Sequence, residues 1–404
     1  MVKNVLYLSY DGMTDPLGQS QVLPYIIGLS KKGYQFHLIS FEKPSRFYQN
    51  KNFISKICIE NNIAWHPLVY TKWPPLLSTI WDVLKMRKLS MNLHQKHGIS
   101  LIHCRSYISA LVALSLKKKQ SVPFLFDMRG FWADERVDGK IWSLSNPIFK
   151  LVYNFFKKKE VDFVVNSDHI VSLTSAGKAE ISNWNIIDDP TDKISVIPCC
   201  VDTDRFNSDS VSQSQKSQIL SKLQIEDTQY IMGYVGSIGT WYMLEDMLNF
   251  FDRYTKEKVN PVFLFVTKEN PDLIMAAAIK QGMDTAKLKI VSALHHEMPA
   301  YMSVFTCSIF FILPAYSKKA SSPTKQGELM SMGIPIICND GVGDTSDLIF
   351  KYSAGAVIPS NEINTFELTD FCFDRSKSIE GAKSYFGLQN GVNTYANIYK
   401  KIIN

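Results

Sequence analysis

The chain has 404 residues, 46% of them hydrophobic and 20% charged, which favours two globular domains of ~100–200 residues and argues against intrinsic disorder. No apolar run reaches the ~20 residues that span a bilayer, and the N-terminus lacks the layout of a signal peptide. The formal net charge of +6 suits an anionic nucleotide or an anionic membrane surface, and without a recognised binding motif it argues against nucleic acid as a partner.

Strand and helix signals alternate from the start. Apolar Asn4–Ser9 is followed by helical spacing over Ser20–Lys32 and a strand over Gln35–Ser40. A helix over Phe47–Asn61 precedes the strand Ile63–Pro67, and another over Leu76–His97 precedes Leu101–Cys104. Tyr107–Lys118 leads to Phe124–Met128, and Ile148–Val164 leads to His169–Leu173 and Ile194–Pro198. Short apolar strands separated by amphipathic helices predict a parallel sheet covered on both faces.

Residues 207–228 are polar and rich in Ser and Gln, and they read as a connector. The alternation then restarts with strand Ile231–Val235, helix Met243–Tyr254, strand Val262–Val266, helix Pro271–Gln281 and strand Leu288–Val291. Strands Ser308–Leu313 and Ile334–Cys338 flank a helix near Gln326–Met332, and Val392–Ile403 has the spacing of a final amphipathic helix. The expected division is residues 1–206, a connector 207–228, a second α/β domain 229–385 and a C-terminal helix 386–404. Two Rossmann-like, doubly wound domains facing each other would enclose a cleft at the strand C-termini, where such folds bind nucleotides.

Seven cysteines, at 58, 104, 199, 200, 307, 338 and 372, are odd in number, and several sit in apolar strand-like runs. They read as reduced thiols of a cytoplasmic protein.

The segment most informative about chemistry is Ser322–Ile337, SPTKQGELMSMGIPII. It reads as a loop entering a helix at Ser322–Lys325, with Ser322 and Thr324 able to cap and Pro323 suited to the first turn. Open N–H groups at a helix N-terminus favour phosphate, and Lys325 adds a point charge in the same turn. Glu328 follows where a carboxylate could accept hydrogen bonds from both hydroxyls of a ribose.

This arrangement resembles the donor-binding helix of family 4 retaining glycosyltransferases, in the variant with S-P-x-K-x-x-E followed by G-x-P. Ile194–Phe206 (ISVIPCCVDTDRF), Val171–Gly177 (VSLTSAG) and Tyr234–Trp241 (YVGSIGTW) resemble further family segments in the same chain order. The chain departs from the family in three ways. The first of two family glutamates would fall at Ala320, Cys199–Cys200 replaces the usual Asn-Gly, and the turn GSIGTWYML lacks the arginine and lysine found in many relatives. The resemblance implies a GT-B fold, a nucleotide-sugar donor, and retaining transfer to a glycan or lipid-linked acceptor in bacterial surface-polysaccharide or lipopolysaccharide synthesis. Candidate donor-binding residues are Gly236, Ser237, Gly239, Thr240, Lys268, Ser322, Pro323, Thr324, Lys325 and Glu328. Gly236 and Gly239 allow close backbone approach, Ser237 and Thr240 offer hydroxyls, and Lys325, helped by Lys268, takes the diphosphate charge.

On the acceptor side, Thr14–Tyr25 resembles the family's glycine-containing loop and supplies Gly18 and Gln19. FDMRGFWADE, residues 126–135, follows a strand and offers Asp127 and Arg129 as catalytic or phosphate-binding candidates and Asp134 for acceptor hydroxyls. Pairing of Arg129 with Asp134 is the competing reading. Lys117–Lys119, Lys157–Lys159 and aromatic Tyr70–Leu77 either face solvent or form a peripheral membrane surface. His295–His296–Glu297 lacks a third ligand at suitable spacing, and the acid pairs Asp188–Asp189 and Asp202–Asp204 lie in loops of the first domain. No metal and no cofactor are therefore expected. A sugar-nucleotide 2-epimerase, or a GT-B protein that binds without catalysis, are the alternative functions.

Overall fold

The computed structural model describes residues 3–369 and 371–403. The chain forms two compact units. One comprises Met1–Pro198 together with Leu388–Asn404, and the other Cys199–Gly387.

The N-terminal unit carries seven strands: β1 Lys3–Ser9, β2 Tyr34–Glu42, β3 Ile63–Val69, β4 Leu101–Arg105, β5 Phe124–Asp127, β6 His169–Ser172 and β7 Ile194–Val196. They are ordered β3-β2-β1-β4-β5-β6-β7, every pair parallel. The C-terminal unit carries β8 Ile231–Val235, β9 Val262–Val266, β10 Leu288–Val291, β11 Cys307–Phe310, β12 Ile336–Asn339 and β13 Gly355–Ile358. Their order is β10-β9-β8-β11-β12-β13, again parallel throughout. Strand order reverses between β1 and β4 in one sheet and between β8 and β11 in the other. Loops diverge at such a switch point and leave a crevice at the strand C-termini.

Strands β1, β4, β8, β9, β11 and β12 are buried along most or all of their length. This is why they read as continuous apolar runs rather than alternating ones. Right-handed crossovers place helices Leu77–His97, Ser106–Gln120 and Pro147–Asn166 in a row on one face of the first sheet. Their N-termini lie at the C-terminal end of the strands.

Two expected boundaries are corrected. The unit division falls at Pro198–Cys199 rather than at 206. Residues 207–228 are not a loose connector. They contain helix Gln213–Leu223, which begins with a reciprocal capping box between Ser212 and Gln215 and buries Leu220 and Leu223, followed by Ile225, in the core of the C-terminal unit. The short polar stretch hides apolar residues at helical spacing.

The final helix, Leu388–Ile403, returns to the N-terminal unit. Val392 fills the space over Gly28, where an added Cβ would meet it at 2.6 Å. Tyr395 meets Tyr25 edge-on, and the Tyr399 hydroxyl lies 2.7 Å from His103 Nδ1. β13 and the helices Thr345–Lys351 and Arg375–Gly381 fall in a stretch where no element is expected from the sequence pattern.

All seven cysteines are thiols, six of them buried. No helix among the described residues is long and apolar enough to cross a membrane.

Candidate functional site

The turn after β8 shapes the crevice of the C-terminal unit. Gly236 holds φ at +106°, which side chains rarely adopt, and a Cβ there would lie 3.5 Å from Lys325 Nζ. Gly239 has no such constraint, since a Cβ would meet only Ser237 Oγ at 3.6 Å. Ser237 Oγ donates to Glu269 Oε1 beyond β9 (2.6 Å), and Thr240 is exposed. The turn then folds across the end of β11: Met243 N donates to Phe311 O (3.0 Å) and Leu313 N to Trp241 O (2.9 Å).

That fold-back brings two aromatic rings over two lysines. Lys325 Nζ lies 3.7 Å from the Tyr242 ring centre and 4.0 Å from that of Tyr234. Lys318 Nζ lies 3.5 Å from the Trp241 ring centre. Lys318 sits in a 3₁₀ turn, Tyr316–Ala320, that buries Ala320 where the family's first glutamate would stand. Lys318, Tyr234 and Tyr242 are absent from the residues singled out by sequence. The only signal for them was aromatic spacing around the β8 glycine turn.

Lys325 is 8% exposed and its Nζ makes no hydrogen bond. Burial pulls its ammonium well below the ordinary lysine range, and Glu328 only partly offsets this. Glu328, one turn further along helix Thr324–Ser331, is half-buried. Burial pushes its carboxyl up to about 7, against the pull of Lys325 and Arg205. Both groups are thus biased towards neutrality, and an anion close to Lys325 would favour its ammonium form.

The helix entry differs from the expected cap. Pro323 occupies the N-cap position, and no side chain caps the helix. Ser322 Oγ instead accepts from Cys199 N (3.2 Å), tying the loop to the turn that begins this unit. The first-turn N–H groups of Thr324 and Lys325 therefore point out of the helix without a side-chain cap, a geometry that favours phosphate oxygens. Lys268 is exposed at the end of β9 and lies near His295, whose imidazole is lowered to about 4 by burial, Arg205 and Lys268. Among the described residues, no three His, Cys, Asp or Glu side chains are grouped to hold a metal.

In the N-terminal unit, Asp127 ends β5 amid buried charge. His103 Nε2 lies 3.5 Å from Asp127 Oδ2, and Arg105 Nη1 and Arg129 Nη1 each approach the carboxylate to 3.9 Å. Burial raises the carboxyl, but Arg129, His103 and Arg105 together outweigh it and hold it below the usual range. Burial likewise keeps His103 neutral, donating from Nε2 and accepting from Tyr399 at Nδ1. Asp127 is 1% exposed, so it serves as countercharge to Arg105 and Arg129. Arg129 itself holds φ at +57°.

Two acceptor-side expectations change. Asp134 is buried and accepts from Tyr153 (2.8 Å) and Lys157 (2.8 Å) rather than pairing with Arg129 or opening onto the crevice. Gly18 is needed by its own loop, because a Cβ would strike Gly12 O at 2.2 Å, and Gln19 donates back to Thr14 O (3.3 Å). That loop is held by buried Glu42, which accepts from Met13 N (2.8 Å), Thr14 N (3.0 Å), Thr14 Oγ1 and Ser40 Oγ (2.6 Å).

Residues 22–205 match the family model described as Glycosyltransferase Family 4. No curated protein matches the chain by sequence. Solved structures match over nearly the whole length. A glycosyltransferase from Rickettsia africae has 15% identity and a TM-score of 0.72, covering 100% of this chain and 99% of that one. Sucrose-phosphate synthase from Thermosynechococcus elongatus has 14% identity and a TM-score of 0.73, covering 99% of each. Anabaena HepE, in complex with UDP and glucose, has 12% identity and a TM-score of 0.70, covering 99% of this chain and 100% of that one. At these identities the structures establish the fold, which is GT-B. The likeness to glycosyltransferase family 4 is carried by residues 22–205, less than half of the chain. The family match ends at Arg205, so the Ser322–Glu328 segment lies outside it.

Proposed function

We propose that the chain transfers a sugar, with retention and without a metal ion, from a nucleoside-diphosphate sugar to a glycan or lipid-linked saccharide in bacterial surface-polysaccharide synthesis. The observation that carries this reading is the buried amino group of Lys325, free of hydrogen bonds beneath the Gly236 turn and one helical turn from Glu328. HepE, a neighbour in fold, binds UDP and glucose, which supports a uridine diphosphate donor here.

In this reading Glu328 accepts from the ribose hydroxyls, while Lys325 and the first-turn N–H groups of its helix receive the diphosphate. As the bond from the sugar anomeric carbon to the β-phosphate oxygen breaks, negative charge grows on that oxygen. A preorganised ammonium in a dry site stabilises this charge most when it is greatest, which lowers the barrier. The acceptor oxygen bonds to the anomeric carbon on the face the phosphate leaves. Its proton passes to the departing phosphate oxygen, so no protein base is required. Lys325 and Lys318 supply positive charge of the kind a divalent cation would otherwise provide. The protein acts in the cytoplasm, where nucleotide sugars are made.

A thermal-shift and donor-hydrolysis screen of nucleotide sugars, with magnesium or chelator, tests the assignment. One nucleotide sugar should raise the melting temperature of the wild type, indifferently to chelator, and not that of Glu328→Ala. No shift with any nucleotide sugar would overturn the donor site, and an inverted product anomer by NMR would overturn retention. Interconversion of donor sugars without an acceptor would favour an epimerase.

A further inference from the structure

Helix Leu77–His97 in the N-terminal unit is inside out. The residues it buries are Ser78, Asp82, Met86, Ser90 and Leu93, three of them polar. Its exposed positions include Leu77 (64%), Ile80, Trp81 (59%) and Leu84, at the i, i+3, i+4, i+7 spacing of an apolar stripe. Helix Pro147–Asn166 buries mainly apolar residues yet also exposes Ile148, Leu151 (70%) and Phe155 in its first half. Both helices flank Ser106–Gln120 on the same face of the sheet, and both apolar halves are N-terminal. They therefore lie at the end of the sheet that carries Asp11, Arg105 and Arg129.

Charge is concentrated on the same two stretches. Residues 69–97 hold five basic side chains and one acid, Asp82, and residues 139–159, between Asp138 and Glu160, hold five basic side chains, of which Lys157 and Lys159 pair with Asp134, Glu160 and Asp162. Together they exceed the surplus of the whole chain, +6, so the remainder is net negative. Lys72, Lys88, Lys140 and Lys150 are exposed beside the apolar residues. The one acid is turned inward. Asp82 is 0% exposed and accepts from Tyr10 Oη (3.1 Å), Thr71 N (3.0 Å) and Thr71 Oγ1 (2.8 Å), with Lys85 Nζ at 2.6 Å. Asp82 thereby fastens the outward helix to the loop that follows β1.

We infer that this face docks on an anionic lipid bilayer, the apolar stripes entering the headgroup boundary and the lysines meeting lipid phosphates. Apolar side chains fringed by basic ones, with tryptophan among them, match the depth profile of a bilayer surface. Two copies of the face placed against each other would oppose lysine to lysine, which disfavours a second copy as occupant. The inference gives the proposed lipid-linked acceptor its place and rests on that reading only for its purpose.

Sedimentation of the full chain with vesicles of phosphatidylcholine, alone or mixed with phosphatidylglycerol, tests it without donor or acceptor. Wild type should bind the mixed vesicles and lose binding as salt rises. The double variant Leu77→Ser, Trp81→Ser should bind at least about tenfold more weakly, and Lys72→Glu, Lys88→Glu should lose the preference for anionic lipid. Unchanged melting temperature and nucleotide binding would show that both variants remain folded. Equal binding by wild type and variants, no binding by wild type, or a wild-type dimer that Leu77→Ser, Trp81→Ser dissociates, would each overturn the inference.

Discussion

Lys325 Nζ lies 3.7 Å from the centre of the Tyr242 ring, and no hydrogen bond replaces the water it has lost. Two ring faces attract a desolvated cation by only ~1–2 kcal/mol each, less than hydration supplied. Lys325→Met keeps the stem and removes a poorly solvated amine that burial already biases towards neutrality. Unfolding free energy is expected to hold or rise by about 1 kcal/mol, while transfer falls by ~100-fold or more. Denaturant unfolding and initial rates on one preparation check both. A destabilised variant with normal transfer would assign Lys325 to the core instead.

Glu328 should leave a mark on the pH dependence of stability. Its carboxyl is raised from 4.5 to about 7, so the folded chain holds a proton that the unfolded chain releases between those values. The stabilisation is full below about pH 4.5 and is lost as pH rises through about 7. Glu328→Gln cannot titrate, and its melting temperature should vary less across that window. Superimposable profiles would contradict the assignment.

Binding of a nucleoside diphosphate should be coupled to proton uptake above pH 7. There Glu328 is already largely ionised, whereas burial favours neutral Lys325 and a diphosphate favours its ammonium. Calorimetry in buffers of differing ionisation enthalpy should register uptake of up to about one proton. Lys325→Met should bind more weakly and with no uptake.

Glu42 organises the loop after β1 with a buried carboxylate that accepts from two backbone N–H groups and two hydroxyls. In Glu42→Gln the amide NH₂ must face at least one of these donors. The expected cost is ~2–4 kcal/mol of unfolding free energy, read from the denaturation midpoint at constant slope. A cost within error would show that the loop can re-form its bonds elsewhere.

The doubly wound sheets were legible because β1, β4, β8 and β9 are buried on both faces and so read as short apolar blocks between helical repeats. The glycine turn, Lys325 and Glu328 were legible as a motif, and the structure gathers Gly236 and Lys325 side by side. Lys318 was not, because its burial depends on the turn 236–243 folding back across β11, a pairing between distant segments. β13 was missed because the four residues Gly355–Ile358 are too short to announce a period. Asp134 and Gly18 were assigned to a ligand because a turn residue's partners are set by tertiary packing, here Lys157 and the Gly12 carbonyl.

The return of helix Leu388–Ile403 to the first sheet makes the C-terminal unit an insertion within the N-terminal one. During synthesis, the unit whose strands emerge first lacks Val392 over Gly28 and Tyr399 against His103 until helix Leu388–Ile403 leaves the ribosome. The later-made unit, Cys199–Gly387, has its whole sequence earlier and can close first. The order of completion is thus the reverse of the order of translation.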